Sequence, residues 1–512
     1  MIDVSAPTVR SHTPPPIPYR RLPWRTAVAG LLPLRWRGAA AERRIGRLPV
    51  LAVLVVFAAM VLALDNTVFT DEAALIQIGR DQLSYGLGAA ATEPLHLRGA
   101  PAFYPVLAAV LDAFGGLAAV RMLSLCALLG TILLLRATAA TATSSARFGL
   151  LSGAAFAFTA GAVYTGALAT PDALCLLMLA LALWCGVAGR TAGAGALCGG
   201  ALAFAVALEY VALLLLPAVV LVIVLLRRWK GGGTWPERVQ MVLAATVVLT
   251  GLLAGLHLLE GPAFTEGLVM TTTAPGTLPA HLVDLGATIG WLGLDLAVVG
   301  LLALAGTALA PRGARLLPVC VLVTGAVVPF VAMWAGGTTS ANRLSAYSAL
   351  LLAPLAGQAL AALSRSLLRW VPVLAVLVVA PVLATAQSQM MFHGWVDVRP
   401  ALAVVERHRT SGLYLSTASD TLRYYTRGRL DAPRWEGTST LYAAGPDAVR
   451  GAVAARRYAM VILQPYSAAA PAQDALLDAL NRSADYTQEG PIPDTVDPEA
   501  RWTVYRLLNT VP

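Results

Sequence analysis

Eleven long apolar runs constrain the fold of this chain more than any other feature of its sequence. Each run has close to the roughly 20 residues that a helix needs to cross the hydrocarbon core of a bilayer. Because lipid offers the backbone no hydrogen-bond partners, runs of this length predict membrane-spanning helices. The runs are residues 48–64, 120–135, 149–169, 171–189, 192–208, 210–226, 241–259, 286–310, 316–335, 344–363 and 370–386.

The composition of the chain supports this prediction and excludes several classes of protein. Hydrophobic residues make up 57% of the chain, charged residues make up 13%, and the mean hydropathy is +0.69. Soluble globular proteins carry roughly 25% charged residues. The composition therefore excludes a soluble enzyme, a disordered chain and a nucleic-acid binder built on a charged surface. We expect no nucleic-acid partner.

The charges between the apolar runs predict the orientation of the chain. With a cytoplasmic N-terminus, every inner connection is basic, as the positive-inside rule requires. The inner connections hold Arg136, Arg147, Arg190, Arg227, Arg228, Lys230, Arg238, Arg312, Arg315, Arg365 and Arg369. The outer connections hold Asp71, Glu72, Glu93, Asp172, Glu209, Glu260, Glu266 and Asp284. We therefore predict a multi-pass protein of the cell membrane with a cytoplasmic N-terminus and an extracytoplasmic C-terminal domain.

Three regions follow from these patterns. Residues 1–47 are rich in proline and arginine, which predicts a disordered basic cytoplasmic tail. Residues 48–387 form the predicted transmembrane domain. Residues 388–512 carry more charge and alternate short β-like runs with helical ones, which predicts an α/β domain on the outer face. Its candidate strands are 412–417, 458–463 and 502–508, and its candidate helices are 399–409, 446–457 and 472–483.

Two outer segments of the transmembrane domain are longer than simple connections. In residues 65–119, the stretches 73–87 and 101–114 are helix-like and moderately apolar. Such stretches are typical of helices that lie at, or dip into, the membrane interface. Residues 260–285 form a second sizeable outer loop.

An acidic pair, Asp71-Glu72, directly follows the first run at the predicted outer water boundary. Thr70 can cap the helix that follows, which places both carboxylates in its first turn, where the helix dipole favours their ionised form. An ionised carboxylate at the membrane surface can act as a general base. The same residues also make an ordinary helix start, and spacing by itself slightly favours that interpretation.

Further candidates on the predicted outer side are arginines, acids and one histidine. An outer arginine can bind a phosphate, or it can pair with a lipid headgroup or a carboxylate. A carboxylate directly after Thr-Pro is a common helix start, and a lone histidine in a loop is usually structural. Glu209 has no obvious capping role, which favours a function there. These candidates are Arg98, Arg121, Asp172, Glu209, His281 and Arg343.

Motifs for metals and cofactors are absent from the sequence. It contains no HExxH, no P-loop and no GxGxxG at a strand–helix junction, so nucleotide chemistry is unsupported. The five cysteines lie within apolar runs and form no CxxC pair, which is typical of small core residues. We therefore predict no cofactor and no metal-ligating residue, and we leave a requirement for a divalent metal open.

The order of these features resembles that of the GT-C glycosyltransferases. It resembles in particular the glycosyltransferase family 39-like group, which includes protein O-mannosyltransferases and bacterial aminoarabinose lipid A transferases. In that family an Asp-Glu pair follows the first span, as Asp71-Glu72 does here. A segment with proline and aromatic residues comes next, and residues 101–105 with Tyr104 match it. An arginine near the start of the second span and an aspartate at a later span follow, and Arg121 and Asp172 match them.

The resemblance implies a helical polytopic membrane fold of the GT-C type. Together with the apolar runs and the composition of residues 388–512, it predicts about eleven spans and a C-terminal extracytoplasmic α/β domain. It also implies transfer of a hexosyl or pentosyl group from a polyprenyl-phosphate carrier to an acceptor hydroxyl at the outer face. Asp71, with Glu72 beside it, would deprotonate or orient that hydroxyl, which attacks the anomeric carbon with inversion. Arg98, Arg121 and Arg343 are candidates for contacts to the phosphate. The implied partners are the lipid-linked donor, a protein, lipid or polysaccharide acceptor, and membrane lipids.

Two positions depart from the pattern of that family. Gly99-Ala100 separates Arg98 from the proline segment, and Glu209-Tyr210 stands near a position where the family often has lysine. The phosphate contacts therefore stay open. The main alternative is a multi-span transporter or lipid flippase, in which Arg98, Arg121, Asp172 and Glu209 would line a polar path. The sequence shows no inverted repeat of the kind many transporters have, and a non-catalytic envelope scaffold is a third possibility.

Overall fold

The helical part of the chain contains every predicted apolar run. The computed structural model of the protein describes residues 47–85, 103–230, 235–262, 264–266, 278–312, 315–336, 341–364, 370–392, 395–408, 412–427, 434–464, 471–493 and 501–508. The main helices before residue 395 are α1 (Arg47–Leu62), α2 (Thr70–Tyr85), α3 (Tyr104–Thr143), α4 (Ala146–Ala157), α5 (Ala160–Ala167), α6 (Asp172–Ala188), α7 (Ala192–Leu208), α8 (Val211–Lys230), α9 (Trp235–Glu260), α10 (Leu278–Ala308), α11 (Leu316–Gly336), α12 (Ala341–Leu363) and α13 (Trp370–Phe392).

These helices confirm the polytopic membrane architecture. In the described part of the chain, five helices (α3, α8, α9, α12 and α13) are long and apolar enough to cross a membrane, and the bent pair α4–α5 would make a sixth. The remaining predicted runs fall on shorter apolar helices, which are α1, α6, α7 and parts of α10 and α11. The count of eleven spans stays a prediction.

Two helices take a different course from the predicted one. Helix α3 includes both the predicted interfacial stretch 101–114, from Tyr104 onward, and the second run. Its helical geometry is interrupted at Gly115 and Gly116, and the φ of +65° at Gly116 suits a residue without a Cβ. The run 149–169, predicted as one span, is broken into α4 and α5, which meet at 67°. Thr159 causes this break, because its hydroxyl accepts a hydrogen bond from Ala162 N and starts a new helix.

Two predicted boundaries also move. Helix α10 begins at Leu278, so the predicted outer loop 260–285 ends earlier than expected. Helix α13 continues to Phe392, beyond the predicted end of its run at 386 and past the predicted domain boundary. Polar residues such as Asp284 and Gln387 lie within these helices, and a hydropathy pattern ends a run at such residues although the helical backbone continues.

The packing within the helical part follows the rules of membrane proteins. Large apolar side chains face outward on α9, α10 and α13, where Val247, Leu301 and Val371 are exposed by 67%, 69% and 67%. Lipid covers such a surface in a membrane, whereas soluble proteins rarely expose so large an apolar surface to water. Small residues let helix backbones meet: Gly195 and Gly199 of α7 lie against the carbonyl oxygens of Met241 and Ala245 on α9.

The C-terminal α/β region consists of a five-stranded sheet with helices on both faces. The sheet order is β2-β1-β3-β5-β4, with β1 parallel to both β2 and β3 and with β5 antiparallel to both β3 and β4. The elements are α14 (Arg399–Arg407), β1 (Leu413–Ser416), α15 (Ser419–Thr426), β2 (Arg434–Gly437), α16 (Thr438–Ala443), α17 (Pro446–Ala454), β3 (Met460–Leu463), α18 (Pro471–Arg482), β4 (Tyr486–Pro493) and β5 (Arg501–Leu507).

The three predicted strands correspond to β1, β3 and β5, and the three predicted helices correspond to α14, α17 and α18. Strands β2 and β4 were not predicted. All four residues of the central strand β3 are buried, because apolar clusters lie on both faces of the sheet. One cluster contains Trp502 and Tyr414, and the other contains Leu476 and Tyr505. The extracytoplasmic location of this region stays a prediction.

Candidate active site

The acidic pair lies in the first turn of α2, as the sequence predicts, but its two side chains have different surroundings. The side chain of Asp71 is 46% exposed, whereas that of Glu72 is fully buried. Thr70 is the first helical residue rather than the residue before the helix. The start of the helix is held by Glu72, whose Oε2 accepts a hydrogen bond from Phe69 N at 2.8 Å. Only Asp71 can therefore meet a substrate without a rearrangement of the chain.

Glu72 and Arg121 form a buried bidentate ion pair. Arg121 Nε donates to Oε1 at 3.0 Å and Nη2 donates to Oε2 at 2.8 Å. Glu72 Oε1 also accepts from Ala169 N at 2.6 Å. The guanidinium of Arg121 further donates to the carbonyl oxygens of Asn66 and Thr67, each at 3.1 Å. This network ties α3, the segment before α2 and the segment before α6 together, and it occupies the arginine that the sequence offers as a phosphate ligand.

Arg343, in the first turn of α12, lies between two carboxylates. Its Nη2 donates to Asp71 Oδ2 at 2.9 Å, and its Nη1 lies 3.5 Å from Asp172 Oδ2. Asp172, the first residue of α6, is buried and accepts hydrogen bonds from Thr170 Oγ1 at 2.8 Å and from the Tyr347 hydroxyl at 3.1 Å. Since Asp172 is held on both sides, it fixes the guanidinium that in turn fixes Asp71.

Three further side chains surround these charges. Tyr104, the first residue of α3, is buried, and it lies close enough to Glu72 and Asp172 to interact with their charges. Glu209, which directly follows α7, is buried and interacts electrostatically with Arg343. Tyr164 of α5 lies within electrostatic range of Arg343 and Asp71, and the sequence did not suggest it. The structure therefore places two of the predicted residues, Glu209 and Tyr104, close to the charged groups of the site.

An aromatic group borders the site next to Tyr164. The Tyr164 ring lies 5.5 Å from the Phe392 ring and 6.2 Å from the Trp395 ring, measured between centroids. Trp395 also lies 4.8 Å from Phe69, two residues before Asp71. Edge and tilted contacts of this kind give a rigid apolar wall.

The side chains of two predicted site residues are not described by the structure. Arg98 lies outside the described residues. His281 lies on α10 rather than in a loop, which corrects the prediction for its backbone, and its side chain is outside the description.

The C-terminal α/β region contacts the segment that carries the acidic pair. The Tyr425 hydroxyl accepts from Val68 N at 2.9 Å, and Gln77 Nε2 donates to Asp420 O at 2.8 Å. The Tyr424 hydroxyl donates to Asp112 Oδ1 at 2.6 Å, and Asp112 also pairs with Arg80. Helix α15 therefore braces α2 close to Asp71. Sequence reasoning missed these contacts, because the residues that meet are more than 300 positions apart.

Among the residues that the structure describes, no three His, Cys, Asp or Glu side chains come together in a way that could hold a metal ion. The described site holds the carboxylates Asp71, Glu72, Asp172 and Glu209 and the cations Arg121 and Arg343. Carboxylates thus outnumber cations in it, and Arg343 is the cation that borders the exposed Asp71.

Comparison with known proteins shows a shared fold but no close relative in sequence. No family model matches the sequence, and no curated protein matches it significantly. The structure of ArnT from Cupriavidus metallidurans bound to undecaprenyl phosphate is similar, with a TM-score of 0.55 and 16% identity over 91% of this chain and 98% of that chain. The apo state of the same ArnT gives a TM-score of 0.53 and 17% identity over 89% and 97%.

A third similar structure is the apo form of the oligosaccharyltransferase from Archaeoglobus fulgidus. Its TM-score is 0.50 and its identity is 12%, over 81% of this chain and 69% of that chain. These neighbours are GT-C glycosyltransferases, so the chain has the GT-C fold of a polytopic helical membrane protein. The comparison confirms the fold class and the structural resemblance inferred from the sequence.

Proposed function

We propose that this chain, which has the GT-C fold, is a membrane glycosyltransferase that moves a hexosyl or pentosyl group from a polyprenyl-phosphate carrier to an acceptor hydroxyl. The observation that carries the proposal is the half-exposed carboxylate of Asp71 at the start of α2, held 2.9 Å from Arg343. The similarity to ArnT bound to undecaprenyl phosphate supports the choice of donor class.

Asp71 is the proposed general base. Its carboxylate takes the proton of the acceptor hydroxyl as the hydroxyl oxygen bonds to the anomeric carbon, with inversion. The bond from that carbon to the phosphate oxygen breaks, and polyprenyl phosphate leaves with the electron pair. A carboxylate suits this role where it is exposed enough to meet the acceptor and also fixed in direction. Asp71 meets both conditions, because its side chain is 46% exposed and ion-paired.

Arg343 is the proposed stabiliser of the leaving phosphate. Negative charge grows on the phosphate in the transition state, and a guanidinium already in place stabilises that charge without reorganisation. Arg121 is a weaker candidate than the sequence suggests, since Glu72 and two backbone carbonyls occupy its guanidinium. Arg98 stays a candidate outside the described residues. Tyr104, Asp172, Glu209 and His281 stay proposed donor or acceptor contacts.

Glu72 is a proposed positioning residue rather than a second base. Its side chain is fully buried, and both of its oxygens accept hydrogen bonds from Arg121. Both oxygens are therefore already engaged, and neither is exposed to an acceptor hydroxyl. We therefore propose that Glu72 holds the segment from which Asp71 projects.

The proposed orientation follows the basic inner connections of the sequence, with the N-terminus cytoplasmic and the site and α/β region extracytoplasmic. The acceptor would be a protein, a lipid or a polysaccharide of the cell envelope. We also propose that the reaction needs no cofactor. A transporter would need a mobile polar path, and the hydrogen-bonded state of Arg121 and Asp172 favours the enzyme over that alternative.

Sugar transfer by isolated membranes tests the proposal. Membranes that contain the wild-type protein or Asp71→Asn, at matched expression, are incubated with a panel of radiolabelled polyprenyl-phosphate sugars and native envelope acceptors. The control is Asp447→Asn, which neutralises a 96% exposed carboxylate on α17 in the α/β region. We expect transfer by the wild type and the control and a loss of about 100- to 10,000-fold in Asp71→Asn. EDTA added to parallel samples measures any dependence on a divalent metal.

Full transfer by Asp71→Asn would remove Asp71 as the base while keeping the enzyme class. If no donor supports transfer and the wild-type protein moves lipid in a flipping assay, the transporter hypothesis would replace the enzyme hypothesis.

A further inference from the structure

A cleft lined with basic side chains opens at the end of the helical part far from Asp71. It lies between the carboxyl ends of α6 and α8 and the start of α9. We call it the basic cleft and define it by Arg190, Arg227, Lys230, Glu237 and Arg238. None of these residues belongs to the candidate active site.

The basic cleft and the candidate active site lie at opposite ends of the same helices. Helix α6 runs from Asp172 to Ala188, and its 17 residues span about 25 Å at 1.5 Å per residue. Helix α8 likewise begins two residues after Glu209 and ends at Lys230. A distance of this size is close to the roughly 30 Å of hydrocarbon in a bilayer. The basic cleft therefore belongs to the membrane interface opposite the one that holds Asp71.

Two of the cations donate hydrogen bonds to carbonyl oxygens at the carboxyl end of α6. Arg227 Nη2 donates to Gly189 O at 2.7 Å, and Lys230 Nζ donates to Val187 O at 2.9 Å. Basic side chains commonly cap helix carboxyl ends in this way. The end of a helix carries only about half a negative charge, which does not balance two full positive charges.

The remaining charge of the cleft is strongly positive. Arg227 lies within electrostatic range of Arg190 and Arg238, and Lys230 lies within range of Arg190 and Arg227. The cleft has four cations and one carboxylate, that of Glu237. Like charges that converge from three helix ends repel one another, and a bound anion relieves that repulsion.

We propose that the basic cleft binds the phosphate headgroup of an anionic phospholipid in the leaflet opposite the candidate active site. Exposed apolar side chains about one turn along α8 and α9 from the cleft residues favour a lipid over free phosphate. Val242 and Leu243 of α9 are 57% and 59% exposed, and Val224 of α8 is 48% exposed. Acyl chains can cover this surface while the arginines hold the phosphate with their planar forks. The inference does not depend on the proposed transferase activity.

Native mass spectrometry of the purified full-length protein in mild detergent tests this site. The protein is titrated with phosphatidylglycerol or with phosphatidylcholine of equal chain length. The test variant is Arg190→Gln with Arg238→Gln. The matched control is Arg47→Gln with Arg312→Gln, which removes the same charge from exposed residues outside the cleft at the same predicted face. A further variant, Arg190→Lys with Arg238→Lys, keeps the charge.

We expect the wild type to prefer phosphatidylglycerol, and the glutamine cleft variant to bind it about 10- to 30-fold more weakly, as the loss of two charges beside an anionic headgroup implies. The control should keep most of the affinity. The lysine variant should bind with intermediate affinity, because it keeps the two charges but loses the planar forks. Melting temperatures in detergent check that all variants fold.

Three outcomes would overturn the proposal. An equal loss in the cleft variant and the control would mean that overall charge, and not the cleft, attracts the lipid. A lack of preference for phosphatidylglycerol would show that the cleft does not recognise an anionic headgroup. Displacement of the lipid by equimolar inorganic phosphate would make the cleft a site for free phosphate instead.

Discussion

The guanidinium of Arg343 lies 2.9 Å from the carboxylate of Asp71, although 272 positions separate the two residues in the chain. The other arm of the same guanidinium faces Asp172, which Thr170 and Tyr347 hold in place. The first turns of α2, α6 and α12 therefore meet at one arginine. This meeting point determines where the exposed carboxylate of the acidic pair points.

The position of the Arg343 guanidinium between Asp71 and Asp172 predicts different activities for two substitutions of Arg343. Arg343→Gln should lower sugar transfer by about 100- to 1,000-fold, because it removes a charge that faces both Asp71 and the proposed phosphate. Arg343→Lys should retain intermediate activity, since an ammonium is a single point of charge and cannot face both carboxylates as a guanidinium does. Initial rates of label transfer at varied donor concentration measure both variants, with Arg312→Gln as a control. Equal rates for the lysine and glutamine variants would contradict the proposal that the charge of Arg343 contributes to the reaction.

The buried pair of Glu72 and Arg121 leads to a prediction about stability. Glu72→Gln keeps the shape of the side chain but leaves the Arg121 guanidinium without its counter-ion. We expect a loss of about 3–5 kcal/mol, as for one partner removed from a buried ion pair. Thermal unfolding in detergent measures the change. The control is Asp81→Asn, which breaks an exposed pair with Arg427 and should cost about 1 kcal/mol or less. A stable Glu72→Gln protein that lacks transfer activity would instead assign Glu72 to the chemistry.

The contact between α7 and α9 leads to a paired glycine prediction. A Cβ at Gly199 would overlap the carbonyl oxygen of Ala245, so Gly199→Ala should push the two backbones apart and lower the melting temperature. Gly251→Ala on α9 is the matched control, because no atom lies within 4 Å of a Cβ there. The control should be neutral, or stabilising by up to about 1 kcal/mol, because alanine favours a helix over glycine. A melting temperature unchanged by Gly199→Ala would mean that the helices can separate at no cost.

The contact between the α/β region and α2 leads to a kinetic prediction. Tyr425→Phe removes the hydroxyl that accepts the hydrogen bond of Val68 N, three residues before Asp71. A backbone N–H left without a partner costs about 1–3 kcal/mol, so the segment should shift and kcat should fall while the KM for the donor changes little. Tyr442→Phe is the control, since the described residues provide no hydrogen-bond partner for the Tyr442 hydroxyl. An unchanged kcat in Tyr425→Phe would limit α15 to a structural role remote from the reaction.

Prediction of the membrane architecture from the sequence succeeded because its cause is local. Each apolar run must form a helix to satisfy its backbone in lipid, whatever the other helices do. All eleven runs accordingly fall on helices, including the short α1 and α6. The same approach failed at Thr159, where one hydroxyl divides a continuous apolar run into α4 and α5. Hydropathy does not register such a cap, because it measures transfer to lipid and not the local backbone.

The α/β region shows the same division between local and distant causes. Strands β1, β3 and β5 have apolar or alternating residues that indicate strands without knowledge of their neighbours. Strand β2, with the sequence Arg-Trp-Glu-Gly, lacks that pattern and is extended because it pairs with β1. Strand β4 contains Gly490 and Pro491 and depends on β5 in the same way.

The sequence by itself determined the membrane class, the helical fold and the position of the acidic pair after the first span, because these depend on hydropathy and order along the chain. Only the tertiary structure decided the roles within the pair. Asp71 and Glu72 are adjacent and chemically alike, so no local pattern separates them. The partners separate them: Arg121 and Ala169 bury Glu72, and Arg343 holds Asp71 where it can meet a substrate. Those partners come from distant helices, and burial and charge pairing arise only when the helices pack together.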